Sequence, residues 1–128
     1  MIHRIGLLIL IAIPFPGLGL SGISSSEPVQ IGGINQWINI KGVTDTNPVL
    51  LFLHGGPGNS AMRYADRFTA KLQKHFVVVQ WDQRESGATK ELNASPVPLT
   101  VALFEQDAVE MINYLRTRFA QDKIYLLN

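Results

Sequence analysis

The stretch that first suggests chemistry is His54-Gly55-Gly56-Pro57-Gly58, which directly follows the apolar run Val49–Leu53. A continuous apolar run of this length predicts a strand that is buried on both faces. The glycines after it have no Cβ, so a ligand atom can approach the peptide N–H groups closely. Three interpretations are open: a tight turn that needs positive φ, a phosphate site, or a site that stabilises an oxyanion.

The phosphate interpretation rests on Gly56–Ala61, which fits the G-x-G-x-x-G/A pattern of dinucleotide-binding loops. Asp82 follows Gly58 by 24 residues, near the offset of about 20 expected for an acid that binds ribose. Two features weaken this interpretation. The pattern normally follows the first strand of its sheet, whereas two strand-like runs precede this one, and Pro57 lacks an N–H that a phosphate would need.

The oxyanion interpretation rests on the same bare amides. Acyl transfer builds negative charge on the substrate carbonyl oxygen, and backbone N–H groups about 2.7–3.1 Å from that oxygen stabilise it. In sheets of this strand order, the loop after the third strand supplies one such donor. On this interpretation the glycines form half of an acyl-transfer site.

A second motif, Asp82-Gln-Arg-Glu-Ser-Gly87, follows the next predicted strand. The H-G-G-P-G and D-Q-R motifs, in this order and on these elements, resemble the front of an α/β-hydrolase, most closely the proline iminopeptidase group. The resemblance extends from about Gln36 to Leu127. It implies that Asp82-Gln83-Arg84 braces the glycine loop, and it places Glu85 where the family has glycine.

The resemblance also implies roles within the loop. The Gly56 backbone N–H is expected to be the oxyanion donor, with Gly55 beside it in the catalytic site. His54 and Gly58 are expected to lie at the substrate, with Gly58 allowing close packing and His54 orienting the loop instead of acting as the base. No cofactor and no metal ion are expected.

The serine nucleophile of such a hydrolase lies in a G-x-S-x-G turn, and no such pattern occurs in these 128 residues. In the family this turn follows the fifth strand, which here is the predicted strand Lys123–Leu127. The resemblance therefore implies an N-terminal portion, truncated before the nucleophile, that lacks the triad and is inactive alone. Whether the chain itself is an enzyme stays open. His75 is interpreted as a solvated histidine.

The remaining elements follow from hydrophobic periodicity. Two short edge strands or a hairpin, Val29–Ile31 and Gln36–Lys41, precede the glycine loop. A helix capped by Ser60, a buried strand Phe76–Gln80, a polar loop from Asp82 to Pro98 and a longer helix opened by Thr100 come after it. Strand–helix–strand–helix–strand order after two edge strands predicts an α/β fold with a parallel sheet.

Composition limits the function classes. The chain has 128 residues, 46% hydrophobic and 16% charged, with a formal net charge of +1 and no cysteine. That charge balance argues against a nucleic-acid partner, and the lack of cysteine excludes disulfides and thiolate metal sites. The resemblance to the proline iminopeptidase group, and not the composition, implies a small peptide or ester as the substrate.

The first residues have the layout of a secretory signal peptide. Met1–Arg4 supplies positive charge, Ile5–Ile13 is apolar, and small residues follow. The apolar run is too short for a membrane span. We therefore predict an exported protein with a signal peptide over 1–26, cleaved between Gly22 and Glu27, and a partial hydrolase domain over 27–128. A non-catalytic binding module and, less favoured, a dinucleotide-binding domain remain alternatives.

Overall fold

The computed structural model describes residues 22–55 and 58–128. The predicted signal peptide therefore lies almost wholly outside the described residues, as does Gly56. The elements in chain order are β1 (Ile23–Ile31), β2 (Ile34–Gly42), β3 (Val49–Phe52), α1 (Met62–Thr69), a short 3₁₀ turn (Leu72–Lys74), β4 (Val77–Asp82), α2 (Gly87–Leu92), α3 (Val101–Phe119) and β5 (Ile124–Leu127).

The strands form one mixed sheet of five strands in the order β1-β2-β4-β3-β5. The hairpin of β1 and β2 is antiparallel and pairs antiparallel with β4, with Ile38 opposite Trp81. The parallel part consists of β4, β3 and β5, with Leu51 between Val79 and Leu126. This arrangement confirms the predicted α/β class and the order of two edge strands followed by alternating strands and helices.

The core lies between the sheet and α3. Met111 and Leu115 of α3 are fully buried against Ile38, Leu51 and Val79. Alternate residues of each strand face the other side of the sheet, where Gln80 donates a hydrogen bond to Asp66 of α1 at 3.0 Å. The sheet is thus covered by α3 on one face and by the shorter α1 on the other.

Several local predictions needed correction. Strand β1 begins at Ile23, well before the predicted Val29, because the residues from Ile23 onward pair with β2, although the serines form no apolar run. The helical spacing of Ala65, Phe68 and Leu72 suggests a buried helix face, yet Phe68 is 70% exposed. The predicted polar loop contains helix α2, which has no apolar periodicity in its sequence.

Strand β5 is apolar on both faces, and both faces are exposed. Tyr125 and Leu126, which point to opposite faces, are 51% and 52% exposed. The reason is its position at the end of the sheet, where β3 is its partner and its outer edge has no partner strand among the described residues.

Candidate active site

Two loops meet where β3 and β4 end, at the carboxyl edge of the parallel strands. We call His54–Ser60 the glycine loop and Gln83–Ser86 the facing turn. Ligands of open α/β sheets bind at this edge. Gly56 and Pro57 lie outside the described residues, so the oxyanion role of the Gly56 amide stays a prediction.

His54 joins the two loops. Its side chain is 8% exposed, and its Nε2 accepts a hydrogen bond from the Gln83 backbone N–H at 3.2 Å. The Gln83 side-chain amide donates in return to the His54 carbonyl oxygen, also at 3.2 Å. This reciprocal pair fixes the start of the glycine loop against the facing turn. The orienting role that the resemblance implies for His54 stays a prediction.

Burial lowers the pKa of His54 below its usual value, and the charge of Asp82 partly offsets that effect. The ring is therefore neutral at pH 7. Because Nε2 accepts from an N–H group, the network assigns the ring proton to Nδ1. The Nδ1 atom is buried and has no hydrogen-bond partner among the described residues.

Ser86 Oγ lies 3.3 Å from His54 Nε2, a distance that invites comparison with a serine–histidine nucleophile pair. The geometry does not fit that role. Ser86 is fully buried, and its hydroxyl donates to the Gln83 carbonyl oxygen at 2.7 Å. The contact instead shapes the facing turn.

Asp82 anchors both ends of the site. One carboxylate oxygen accepts from Ser60 Oγ at the end of the glycine loop, and the other accepts from the Ala88 N–H at the start of α2. The Asp82 backbone carbonyl accepts from Thr89 Oγ1. Since Asp82 is 2% exposed with both oxygens engaged, it does not fit the ribose-binding acid of a dinucleotide site.

The glycines of the site differ in the reason why glycine is suited to each position. A Cβ at Gly55 would meet no described atom within 4 Å, so the backbone there faces open space. Gly58 has φ of +83°, a conformation that favours glycine. At Gly87, a Cβ would come within 2.2 Å of an Asp82 oxygen, so glycine is needed for the carboxylate to reach α2.

Arg84 ties the facing turn to the rest of the domain. Its guanidinium donates to Asp107 of α3 at 2.6 Å and to the Gly32 carbonyl oxygen in the β1–β2 turn. Asp107 also accepts from Gln36 Nε2 at 2.8 Å, and Gln36 in turn accepts from Trp81 Nε1. This buried network ties the facing turn to α3 and to the β1–β2 hairpin.

The two sequence motifs do not reveal this network, although one signal for it is present in α3. Asp107 lies four residues before Met111 and eight before Leu115, on the same face of the predicted helix. A single carboxylate on an apolar helix face indicates a buried cationic partner, because an unpaired buried charge is strongly unfavourable.

Glu85 occupies the position where the resemblance expects glycine, and it has φ of +57°. This left-handed conformation is strained for a residue with a Cβ. Its carboxylate accepts a hydrogen bond from the Ser95 N–H. The side chain thus fastens the facing turn to the segment after α2, a contact that glycine cannot make.

Within residues 22–55 and 58–128, no group of three or more His, Asp or Glu side chains is placed to hold a metal ion. Over the same ranges, no helix has the length and apolar character needed to cross a membrane. A groove of about 840 Å³ is lined by Ile23, Asp45, Arg118 and Phe119 among others. It lies at the amino edge of the parallel strands, away from the glycine loop.

The chain is similar to known proteins in both sequence and fold. No protein-family model matches the chain. The chain is 36% identical over 104 residues to the probable aminopeptidase YbaC of Bacillus subtilis (strain 168), an alignment that covers 81% of this chain and 33% of the relative. The chain therefore spans about a third of the length of this curated relative.

Two solved structures are similar in fold. A proline iminopeptidase-related protein from Thermus thermophilus matches with a TM-score of 0.65 and 23% identity, over 81% of this chain and 35% of that one. An epoxide hydrolase from Vigna radiata matches with a TM-score of 0.62 and 25% identity, over 80% of this chain and 29% of that one.

Proposed function

We propose that the glycine loop of this chain supplies the oxyanion donor of a serine hydrolase. The premise is that the chain has the N-terminal portion of the α/β-hydrolase fold and resembles the proline iminopeptidases. The observation that carries the proposal is the loop geometry. A Cβ built at Gly55 meets no described atom within 4 Å, and the hydrogen bonds of His54 with Gln83 and of Ser60 with Asp82 hold the two ends of the loop. Such preorganised amides stabilise charge that develops in the transition state.

The proposed substrate is a small peptide with N-terminal proline, or a similar peptide or ester. The likeness to a probable aminopeptidase and to a proline iminopeptidase-related protein supports this class. The epoxide hydrolase has a similar fold, so the fold by itself does not select the substrate. The similarity to these relatives therefore supports the proposed substrate, and the glycine loop supports the proposed chemistry.

Residues 1–128 are proposed to have no hydrolase activity alone. They contain no G-x-S-x-G turn, and the hydroxyls of Ser60 and Ser86 are engaged in hydrogen bonds. Removing a triad leaves at most the residual catalysis of an oxyanion hole. Both faces of β5 are half exposed, and its outer edge has no partner strand among the described residues. These features support a further strand and helices there, where the remainder of the fold would bring nucleophile, acid and base.

The test is a chimera in which Gln36–Leu127 replaces the matching segment of the Bacillus subtilis relative. We expect it to hydrolyse proline p-nitroanilide, with p-nitrophenyl acetate as the ester comparison, while residues 1–128 alone stay at background. In the chimera, Gly55→Ala should keep the unfolding midpoint, because the added Cβ meets no described atom. It should lower kcat/KM by about 10²-fold, which is the loss expected when a substrate is bound about 1 Å out of position.

The matched control is Gly33→Ala, which also adds a Cβ in open space but lies in the β1–β2 turn. Because Gly33 has φ of +78°, this variant should be slightly less stable with unchanged kcat/KM. Wild-type kcat/KM in the Gly55→Ala chimera would contradict the oxyanion assignment.

Export is proposed from the charged start and apolar run of the first residues. Because β1 begins at Ile23 and pairs there with Gly42, cleavage near Gly22 would preserve the whole strand. N-terminal sequencing of the exported protein should therefore give a start close to Ile23. An intact Met1 in a cytoplasmic protein would contradict export.

A further inference from the structure

Helix α1 carries its large side chains on its outer surface. The residues that it buries against the sheet are small: Ala65 and Thr69 are buried, and Thr69 Oγ1 donates to the Ala65 carbonyl oxygen at 2.8 Å. Its two aromatic residues, Tyr64 and Phe68, are 59% and 70% exposed. Packing within the described core therefore gives no reason for these two rings, and large apolar groups that share one exposed surface point to a contact with something else.

The same surface is cationic. Four of the chain's eleven Lys and Arg residues, but one of its ten Asp and Glu residues, lie within residues 62–75. The four are exposed, and none of them forms an ion pair with a carboxylate of the described ranges. The single acid, Asp66, is paired with Lys41 at 2.8 Å, so its charge is already balanced. We use the name α1 face for six exposed residues: Arg63, Tyr64, Arg67, Phe68, Lys71 and Lys74.

Helical spacing places the cations and the rings side by side. Arg63 and Arg67 are four residues apart, as are Tyr64 and Phe68, so each pair forms a stripe along the helix. The two stripes are offset by one residue, or about 100° around the axis. Lys71 extends the arginine stripe, because the chain keeps helical dihedral angles as far as this residue. A convex surface thus carries an apolar stripe beside a basic one.

We propose that the α1 face docks on an anionic lipid surface. Helices with a basic stripe beside an apolar one lie in the plane of a membrane, with the apolar side chains at the boundary of headgroups and acyl chains. In this contact Tyr64 and Phe68 enter that boundary, and the long basic side chains keep their charges at the lipid phosphates. Single-stranded nucleic acids, in contrast, are held by rings that line a charged groove, whereas the outer surface of one helix is convex.

The charges set the expected strength of this contact. Each Lys or Arg close to an anionic lipid surface strengthens binding by about fivefold. The attraction falls off within about 8 Å at physiological ionic strength, so only cations on the docked surface contribute fully. Binding should therefore require anionic lipid, weaken as salt is added, and depend on the α1 face instead of on the net charge of the chain. It needs no part of the glycine loop and is independent of the proposed hydrolase activity.

The test compares vesicles of phosphatidylcholine alone with vesicles of equal parts phosphatidylcholine and phosphatidylglycerol. All proteins span residues 1–128 and carry Leu8→Asp and Ile11→Asp, which interrupt the apolar run Ile5–Ile13 so that this run does not bind lipid. We expect the protein to sediment with the anionic vesicles and to stay in solution with the neutral ones.

Charge variants locate the contact. Arg63→Gln with Arg67→Gln should weaken binding to the anionic vesicles by about 25-fold, because two cations leave the docked surface. Lys90→Gln with Lys123→Gln makes the same change of charge at exposed positions elsewhere and should have a much smaller effect. Equal losses in the two double variants would overturn the proposal, because binding would then follow net charge alone.

The rings are tested separately. Phe68→Ala should weaken binding by about tenfold, because the buried apolar area is lost, and should keep the unfolding midpoint, because the ring is exposed. Val109→Ala, at an exposed position of α3 on the opposite face of the sheet, is the control and should bind as the parent does. Phe68→Trp should show tryptophan emission that shifts to shorter wavelength when anionic vesicles are added.

Three further outcomes would overturn the proposal. The first is equal binding to neutral and anionic vesicles. The second is tighter binding to a single-stranded oligonucleotide than to the anionic vesicles, which would assign the α1 face to nucleic acid. The third is a chimera with the Bacillus subtilis relative that folds but does not bind the anionic vesicles, because the remainder of the fold would then cover this face.

Discussion

Arg84 and Asp107 bear opposite charges on side chains that are each 1% exposed. Their ion pair gains a second acceptor at Gly32 and a second donor at Gln36, so the hydrogen-bonding capacity of both groups is largely used. Such a pair contributes little compared with apolar packing, but losing one member leaves a buried charge unpaired. The site's rigidity therefore depends on a residue of α3, outside both motifs.

Asp107→Ala should destabilise the fold by about 3–5 kcal/mol, because it leaves the Arg84 guanidinium buried without its carboxylate. The denaturation midpoint in urea measures this effect. The exposed Asp122→Ala is the control and should stay close to wild type. The double variant Arg84→Met with Asp107→Leu should recover most of the loss, since it replaces both charges. An equally large loss in the double variant would contradict the ion-pair explanation.

The lowered pKa of His54 has a thermodynamic consequence. The unfolded chain binds the proton more readily, with its histidine near pKa 6.5, than the native chain does. The stability associated with the neutral ring is therefore complete above pH 6.5 and is lost as the pH falls through the native pKa. Urea midpoints should decrease over this acidic range, and His54→Gln should show a smaller decrease. An identical decrease in His54→Gln would assign it to other groups.

At the scale of elements, β3, β4 and α3 were predictable because each combines a clear hydrophobic pattern with a flanking signal. Thr100 is an example: it precedes the apolar periodicity and its side chain accepts from the Leu103 N–H at 3.1 Å. Helix α2 was not predictable, since it is held by contacts from outside. Ala88 is bound by Asp82, and Thr89 is bound by Asp82 and by the Trp37 N–H.

Thr100→Ala should lower the stability by about 1 kcal/mol, because it removes the acceptor for a free N–H in the first turn of α3. Thermal unfolding followed by circular dichroism measures the change. Thr117→Ala, an exposed position inside the same helix, is the matched control and should be neutral or slightly stabilising, as alanine favours helix. Equal losses in the two variants would exclude the capping explanation.

The sequence could supply the positions of the site but not its internal contacts. The motifs place His54 and Asp82 at neighbouring strand ends, which the sheet order confirms. The pairing of His54 with Gln83, and of Ser60 with Asp82, depends on side-chain directions across two loops. Sequence periodicity carries no information about those directions, because loops have no repeating geometry.

At the scale of the whole molecule, β5 is the exposed feature. Tyr125 packs edge-to-face on Phe76, with ring centroids 5.8 Å apart, yet remains half exposed, as does Leu126 on the other face. An open apolar edge strand is prone to pair with other chains. The described residues thus form a domain whose sheet ends in β1, with exposed polar side chains, and in β5, with exposed apolar side chains.

Residues 1–128 should self-associate through β5 as their concentration rises. Leu126→Lys should reduce association and increase solubility, because it places a charge on an already exposed position. Light scattering across a concentration series measures this. Leu51→Lys, at a fully buried position of β3, is the contrasting variant and should unfold the chain. Unchanged association in a folded Leu126→Lys variant would contradict a role for this strand.

The hydrogen bond between Gln36 and Asp107 also has a consequence for folding during synthesis. The two residues are 71 positions apart. At about 5–20 residues per second, roughly 4–14 seconds pass on the ribosome between the synthesis of Gln36 and that of Asp107. Arg84 is made later in that interval and lacks its counterion only while the 23 residues up to Asp107 are added. The β1–β2 hairpin can therefore form early, but the hydrogen bonds that fix its turn form only after α3 has been synthesised. The hairpin is thus made first and fully stabilised last.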